Sequence, residues 1–176
     1  MATRIGTLDY TAAGLTDVLT PVRRGVAALT KTDTDVAQAV LRVVLGGVLL
    51  PHGLQKAFGL LGGYGFEGTM GFLTGGVGLP WLLAFLVIAI ELGGSVALIA
   101  GLFSRAAALG VIAVMIGATV TTHLPYGFFM NWGGSAGGEG FEYHLLVIGM
   151  ALVVVLRGGG ALSLDRVLSR WFARGR

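Results

Sequence analysis

Four long apolar runs decide what this chain can become: Val36 to Phe58, Trp81 to Phe103, Arg105 to His123 and Phe141 to Leu156. Crossing a hydrocarbon core takes about 20 residues of helix. Only helices and closed barrels span lipid, because an unpaired backbone group there costs several kcal/mol. The runs lack the alternation of barrel strands. They predict an all-α fold, an integral membrane four-helix bundle with amphipathic N- and C-terminal surface helices.

Composition points the same way, with 55% apolar and 12% charged residues against about 25% charged in a soluble domain. The 31 glycines lie inside apolar runs without a fixed period, which fits close helix packing rather than a collagen repeat or flexible linker. The chain has no cysteine. Disulfides, Cys-ligated zinc, iron–sulfur clusters and dithiol relays are therefore excluded from the chain itself, and any redox role borrows its centre from a partner.

A net charge of +3 could point to nucleic acid, but the basic residues are sorted by side instead. Arg4, Arg23, Arg24, Lys31 and Arg42 precede or begin the first run, Arg105 joins the second to the third, and Arg157, Arg166, Arg170, Arg174 and Arg176 follow the fourth. Only Lys56 of the twelve falls on the other side. The positive-inside rule then predicts a multi-pass protein of the cell membrane with both termini cytoplasmic and no nucleic-acid partner.

The chain divides into three segments. Residues 1–35 form a cytoplasmic N-terminal segment, too polar for a signal peptide, in which Leu15, Val18, Leu19, Val22, Val26 and Leu29 recur at helical spacing around Pro21. Either a surface-lying amphipathic helix or a loose tail fits it. Residues 36–157 form the transmembrane domain, entered through Thr32 and Asp35 as an N-cap and first-turn acid. Residues 158–176 form a C-terminal surface helix, with Leu164, Val167, Leu168, Trp171 and Phe172 among arginines. The Gly-rich stretch 62 to 78 is expected to be a short re-entrant or interfacial helix. Trp81, Tyr126, Trp132 and Tyr143 read as an outer aromatic belt.

The polar groups inside the runs carry the chemistry. At 1.5 Å per residue, His52, Glu91 and Glu142 all lie roughly 20 Å from the cytoplasmic ends of their helices, with Lys56 and His123 roughly 26 Å up. Ionisable groups in a span face the bundle interior and find partners. His52, Gln55 and Lys56 share one helical face, so they are expected to look inward, where Glu91 and Glu142 can pair with His52 and Lys56. His52 and Glu91 are expected within hydrogen-bond or one-water reach. Lys56 is expected to point to Glu142 or the outer mouth. Glu142 and His144 are two residues apart and cannot both point inward; His144 is assigned to the headgroups or outer loop. Arg105 is expected to anchor the cytoplasmic turn. No dense metal motif such as HExxH is present, and His52 and His123 differ in depth by about 6 Å, a poor fit to bis-histidine haem.

The segments "LRVVLGGVLLPHGLQKAFG", "AIELGGSVALIAGLFSRAAAL" and "GFEYHLLVIGMALVVVLRGGGALSLD" together resemble the DoxX family of small four-helix membrane proteins, over residues 39 to 166. The resemblance implies His52, Gln55, Lys56, Glu91, Arg105 and Glu142 as recurrent polar positions. The chain departs from the pattern with His144 where proline is expected and with Gly-Gly-Gly at 158 to 160 in place of Gly-Pro-Gly. The family's link to a thiosulfate:quinone oxidoreductase implies a quinone-linked redox subunit. Quinol oxidation releases two protons, and a buried carboxylate beside an imidazole can accept them. His52, Glu91 and Glu142 are the candidate catalytic residues, with Glu142 passing protons outward. Gln55, Lys56 and His123 are the candidate quinone-binding residues, although His123, next to Pro125 at a span end, also reads as interfacial. Electron exchange requires a protein partner carrying flavin, metal or dithiol. The alternative is a non-catalytic anchor or assembly module, in which the polar layer only registers the helices; homo-oligomerisation is compatible with either.

Overall fold

The computed structural model describes residues 12–32 and 34–174. Arg4 and Arg176, counted among the cytoplasmic charges, lie outside the described residues. Among the described residues seven helices are found: α1 Ala12–Thr30, α2 Val36–Phe58 and α3 Gly65–Gly71, α4 Trp81–Ala100 and α5 Ser104–Tyr126, then α6 Glu142–Arg157 and α7 Leu164–Arg174. No strand occurs among the described residues. α2, α4 and α5 are long and apolar enough to cross a membrane. α6, at 16 residues, is shorter and packs along α5 and α2 as the fourth member.

The ends of these helices have local causes. Asp35 is the N-cap of α2, its carboxylate accepting the Ala37 N–H at 2.8 Å. Gly59 closes α2 at φ 70°, donating its N–H to Gln55 O. α4 stops at Ala100, three residues short of the expected Phe103. Gly101 turns left-handed there, and the Gly101 N–H to Leu98 O and Leu102 N–H to Ala97 O bonds close a Schellman motif.

Glycine lets α2 approach α4 backbone to backbone. A Cβ at Gly53 would sit 2.6 Å from Leu92 Cα, and one at Gly46 would sit 2.8 Å from Ser95 O. Leu45 and Leu49 of α2, Leu98 of α4, Val111 and Met115 of α5, and Val147, Ala151 and Val154 of α6 fill the centre. A smaller cluster of Met70, Ala84 and Ile88 lies beneath α3.

The bundle has two unlike ends. The basic end carries both terminal helices, which pack on each other. There Arg42, 1% exposed, donates from Nε to Gly159 O at 2.7 Å and from Nη1 to Ile99 O at 2.7 Å and to Leu98 O. Arg105 donates to Lys31 O, Val155 O and Leu156 O, as expected of an anchor at this turn. Each guanidinium thus caps the carbonyl end of a helix, α4 for Arg42 and α6 for Arg105. Asp165 does the converse for α5, accepting the Phe103 and Ser104 N–H groups at 2.7 and 2.9 Å. The opposite, loop end carries α3 and the segment 127 to 141.

Candidate functional site

At the loop end α4 does not close against α5. The outer half of α4 packs on α2 and α3 and barely touches α5. The gap is a cavity of about 590 Å³. Leu79, Leu83, Leu86, Val87 and Ile90 make one apolar wall, and Val114, Met115 and Ala118 of α5 make another. Leu73 and Met130 close it from α3's extension and the loop.

Three π-helical turns interrupt the helices, at Phe72–Gly76, Ile90–Gly94 and Thr119–His123. All three border the cavity, contributing Phe72 and Leu73, Ile90 and Glu91, and Thr121, Thr122 and His123. A π turn adds one residue to a helical turn and rotates the rest of the helix beyond it, which aims a side chain that a regular helix would point elsewhere. Glu91 is the clearest case. It is 5% exposed within its π turn, and its Oε2 accepts from Lys56 Nζ at 2.5 Å.

The predicted residues divide into those on the cavity wall and those beside it. His52, Lys56, Glu91 and His123 line it. The hydrogen bond made by the Glu91 carboxylate goes to Lys56, one turn along α2 from His52. Lys56 therefore turns to Glu91 and not to Glu142. His52 stands on the wall with its ring 5.8 Å from that of Tyr143. Gln55 turns to the connecting loop, donating to Leu61 O at 3.1 Å. Glu142 begins α6, held by its backbone N–H to Phe128 O at 2.9 Å, and neither it nor Gln55 is among the lining residues.

The residue of α6 that looks inward is His144, 6% exposed, on the wall together with Tyr143. Two expectations are corrected by this. His144 does not face the headgroups, and Tyr143 belongs to the cavity while Trp81, Tyr126 and Trp132 remain exposed. The cause is the loop: Gly140, Phe141 and Glu142 return their N–H groups to the carbonyls of Phe129, Gly127 and Phe128, which sets the rotation at which α6 starts.

His123 and His144 meet at a ring-centroid separation of 4.2 Å. His123 Nδ1 donates to Glu139 O at 2.9 Å, which in the neutral imidazole leaves Nε2 as the acceptor. The Glu139 carboxylate accepts the Asn131 N–H at 2.6 Å, and Asn131 in turn clamps Ala136 through both side-chain atoms. Among the described residues no three His, Asp or Glu side chains group as metal ligands. The close histidine contact, between His123 and His144, brings neighbours together rather than opposing two imidazoles across a haem-wide gap.

A helical membrane protein with a mostly apolar cavity and a few convergent polar groups is the class these observations define. Within it, the DoxX family model matches residues 37–124. The chain is 34% identical over 131 residues to the Bacillus subtilis (strain 168) protein named "Putative oxidoreductase CatD", covering 74% of this chain and 86% of that one. It is 29% identical over 136 residues to the inner membrane protein YqjF of Escherichia coli (strain K12), covering 77% and 95%. It is 28% identical over 106 residues to the inner membrane protein YphA of the same organism, covering 58% and 73%. The chain belongs to the DoxX family. No solved structure matches it.

Proposed function

We propose that this protein is a quinone-linked redox component of the membrane, working with a partner that carries the redox centre. The observation that carries this reading is the cavity: about 590 Å³, walled by apolar side chains, with the Lys56–Glu91 pair and His52 on one side. Its size and lining are those of a small-molecule site, in which apolar surface supplies affinity and a few polar groups fix orientation. The name of the Bacillus subtilis relative supports an oxidoreductase context.

The chemistry is set by the residues on the wall. The Lys56 ammonium has three donors; one goes to Glu91 at 2.5 Å, and the others can donate to an oxygen of a quinone bound in the cavity. Oxidation of a bound quinol breaks two O–H bonds, sends two electrons to the partner's flavin, metal or disulfide centre, and releases two protons. His52 and the Glu91 carboxylate are the proton acceptors on the wall. His123 lines the loop end of the cavity, whereas Gln55 and Glu142 do not line it and are given no part in binding. With eleven of twelve basic residues on one side, the termini are assigned to the cytoplasm and the cavity to the outer leaflet.

The test is direct. Full-length protein purified in mild detergent is extracted for quinone and titrated with a decyl-1,4-benzoquinone. Retained quinone, with affinity reduced roughly tenfold in Glu91→Gln and His52→Ala by loss of charge-assisted hydrogen bonds, supports the reading. A chain that binds no quinone but co-purifies with a stoichiometric protein overturns it in favour of an anchor. Because the chain has no cysteine, single cysteines at Ser135 and Ser169 report the sidedness of the two ends by labelling in whole cells.

A further inference from the structure

α4 and α5 touch over their inner halves and part over their outer halves. At the inner level a Cβ at Gly110 would sit 3.2 Å from Ile90 Cγ2, and one at Gly94 would sit 3.9 Å from Val111 Cγ2. Two turns beyond Gly110, a Cβ at Gly117 would meet nothing within 4 Å. The gap is therefore a wedge, narrow at Ile90 and Gly110 and open towards the loop end. Elsewhere the bundle packs, α5 along α6 and α2 on both α6 and α4.

The rim of the wedge is wall and surface at once. Leu83 and Leu86 of α4 and Ala113, Gly117 and Thr121 of α5 line the cavity. Yet Leu83 is 50% and Leu86 40% exposed, and the three α5 residues are exposed as well. Counted at about 1.5 Å per residue from the basic ends of their helices, Leu86 and Gly117 lie roughly 20 Å up, and Leu83 and Thr121 roughly 26 Å up. The two lips thus come level at a depth that a hydrocarbon core of about 30 Å covers. Thr121 adds no free hydroxyl to them, because its Oγ1 donates to Gly117 O at 2.8 Å. On this side the cavity opens through apolar lips into lipid. Small residues in membrane spans ordinarily serve close helix approach, but Gly117 has no neighbour to approach, and any side chain there would start in the open gap.

We infer that this slot is the entrance for the ligand and the seat of its hydrocarbon tail, with Gly117 as the threshold residue. The inference rests on the quinone reading and adds to it a route and a tail site, neither of which the polar wall specifies. The ligand arrives through the bilayer from the leaflet at the loop end. Its head is seated by the Lys56–Glu91 pair, and its chain leaves between Leu83 and Leu86 on one lip and Ala113 and Gly117 on the other. A charged, water-borne ligand would have to cross hydrocarbon to use this opening, at a cost of several kcal/mol.

The experiment measures equilibrium binding to the full chain in lipid nanodiscs of two probes that share one head: 2,3-dimethoxy-5-methyl-6-decyl-1,4-benzoquinone and the same ring without the decyl chain. Each variant is read as a ratio to wild type, which cancels partition of the probe into the bilayer. Gly117→Phe is expected to lower affinity for the decyl probe roughly tenfold or more, because the ring cannot seat while its chain leaves through a filled slot, and to move the chainless probe less than about twofold. Ile116→Phe adds the same side chain at an exposed neighbour that does not line the cavity, and it is expected to change neither. Gly117→Leu fills the slot with a smaller side chain and keeps the test decisive should Gly117→Phe fold poorly. Unchanged decyl affinity in the folded Gly117 variants, equal losses for both probes, or an equal loss in Ile116→Phe overturns the tail site while the quinone reading stands. Binding of neither probe to wild type overturns both.

Discussion

The two ends of the bundle treat buried polar groups in opposite ways. At the basic end, Arg42 is 1% exposed and Asp165 is 1% exposed, yet both are matched: guanidinium to the carbonyls of Leu98, Ile99 and Gly159, carboxylate to two N–H groups at the start of α5. Glycines make room for this, with Gly160 at φ 76° where a Cβ would meet Ala39 N at 2.7 Å. At the loop end three π turns open space, and Tyr143 and His144 present buried atoms without partners. One end spends its polar groups on joining helices, and the other keeps them for a cavity.

The sharpest way to break that contrast is Arg42→Met. Removing the guanidinium leaves carbonyls of α4 and of the 158–160 turn unpaired in a closed site, and disruption of a buried charged network costs about 3–5 kcal/mol. A large drop in melting temperature in detergent is expected, with quinone affinity unchanged in the fraction that stays folded. Gly53→Ala comes next. Its Cβ would sit 2.6 Å from Leu92 Cα and 2.8 Å from the Glu91 carbonyl carbon, and forced overpacking costs about 1–3 kcal/mol. Because the clash bears on the π turn that aims Glu91, ligand affinity should fall together with the melting temperature, which no basic-end variant should do.

Glu91→Gln has a smaller folding effect. Glu91 is nearly buried, but the Lys56 side chain is 30% exposed, so the ammonium can turn to water at the mouth and the pair contributes about 1 kcal/mol or less once screening is counted. Ligand affinity should fall further than stability does. The comparison would fail if Glu91→Gln destabilised the protein as much as Arg42→Met, for then the loop-end pair would also be a fastening.

Much of this division was legible in the sequence, and the residues show where legibility stops. α2 runs from Val36 to Phe58 as the apolar run demands, but its N-cap is Asp35 itself, which the spacing reads as the first-turn acid after a Thr32 cap. Depth counting puts His52, Glu91 and Glu142 at one level with Lys56 and His123 one turn further out, because rise per residue is insensitive to local winding; all of these but Glu142 line the cavity. Rotation is not so protected. A π turn at Ile90–Gly94 leaves depth almost unchanged but alters which way side chains face, and Glu91 turns to Lys56 in preference to His52. On α6 the spacing rule correctly holds that Glu142 and His144 cannot share a face; which of them faces inward depends on how the 127–141 loop enters the helix. Arg42 reads in the sequence as one more interfacial charge. Its acceptor Gly159 O lies 117 residues away in sequence, beyond the reach of any local pattern.

The smallest expected effect on folding gives the cleanest separation of the two ends. Ser104 Oγ, at the basic end, is also buried without a partner, and a Cβ at Gly159 would meet it at 2.7 Å; Ser104 does not line the cavity, whereas Tyr143 does. Ser104→Ala and Tyr143→Phe each delete a hydroxyl that bonds nothing in the protein, and deletion of an unsatisfied group is neutral or stabilising, by up to about 1 kcal/mol. Melting curves should therefore fail to distinguish the two variants. Quinone affinity should distinguish them, unchanged in Ser104→Ala and altered in Tyr143→Phe, which changes a residue of the cavity wall. If Ser104→Ala weakened the ligand as much, strain at the N-terminus of α5 would have to travel along that helix to Val114 and Ala118, and the two ends would be one coupled unit.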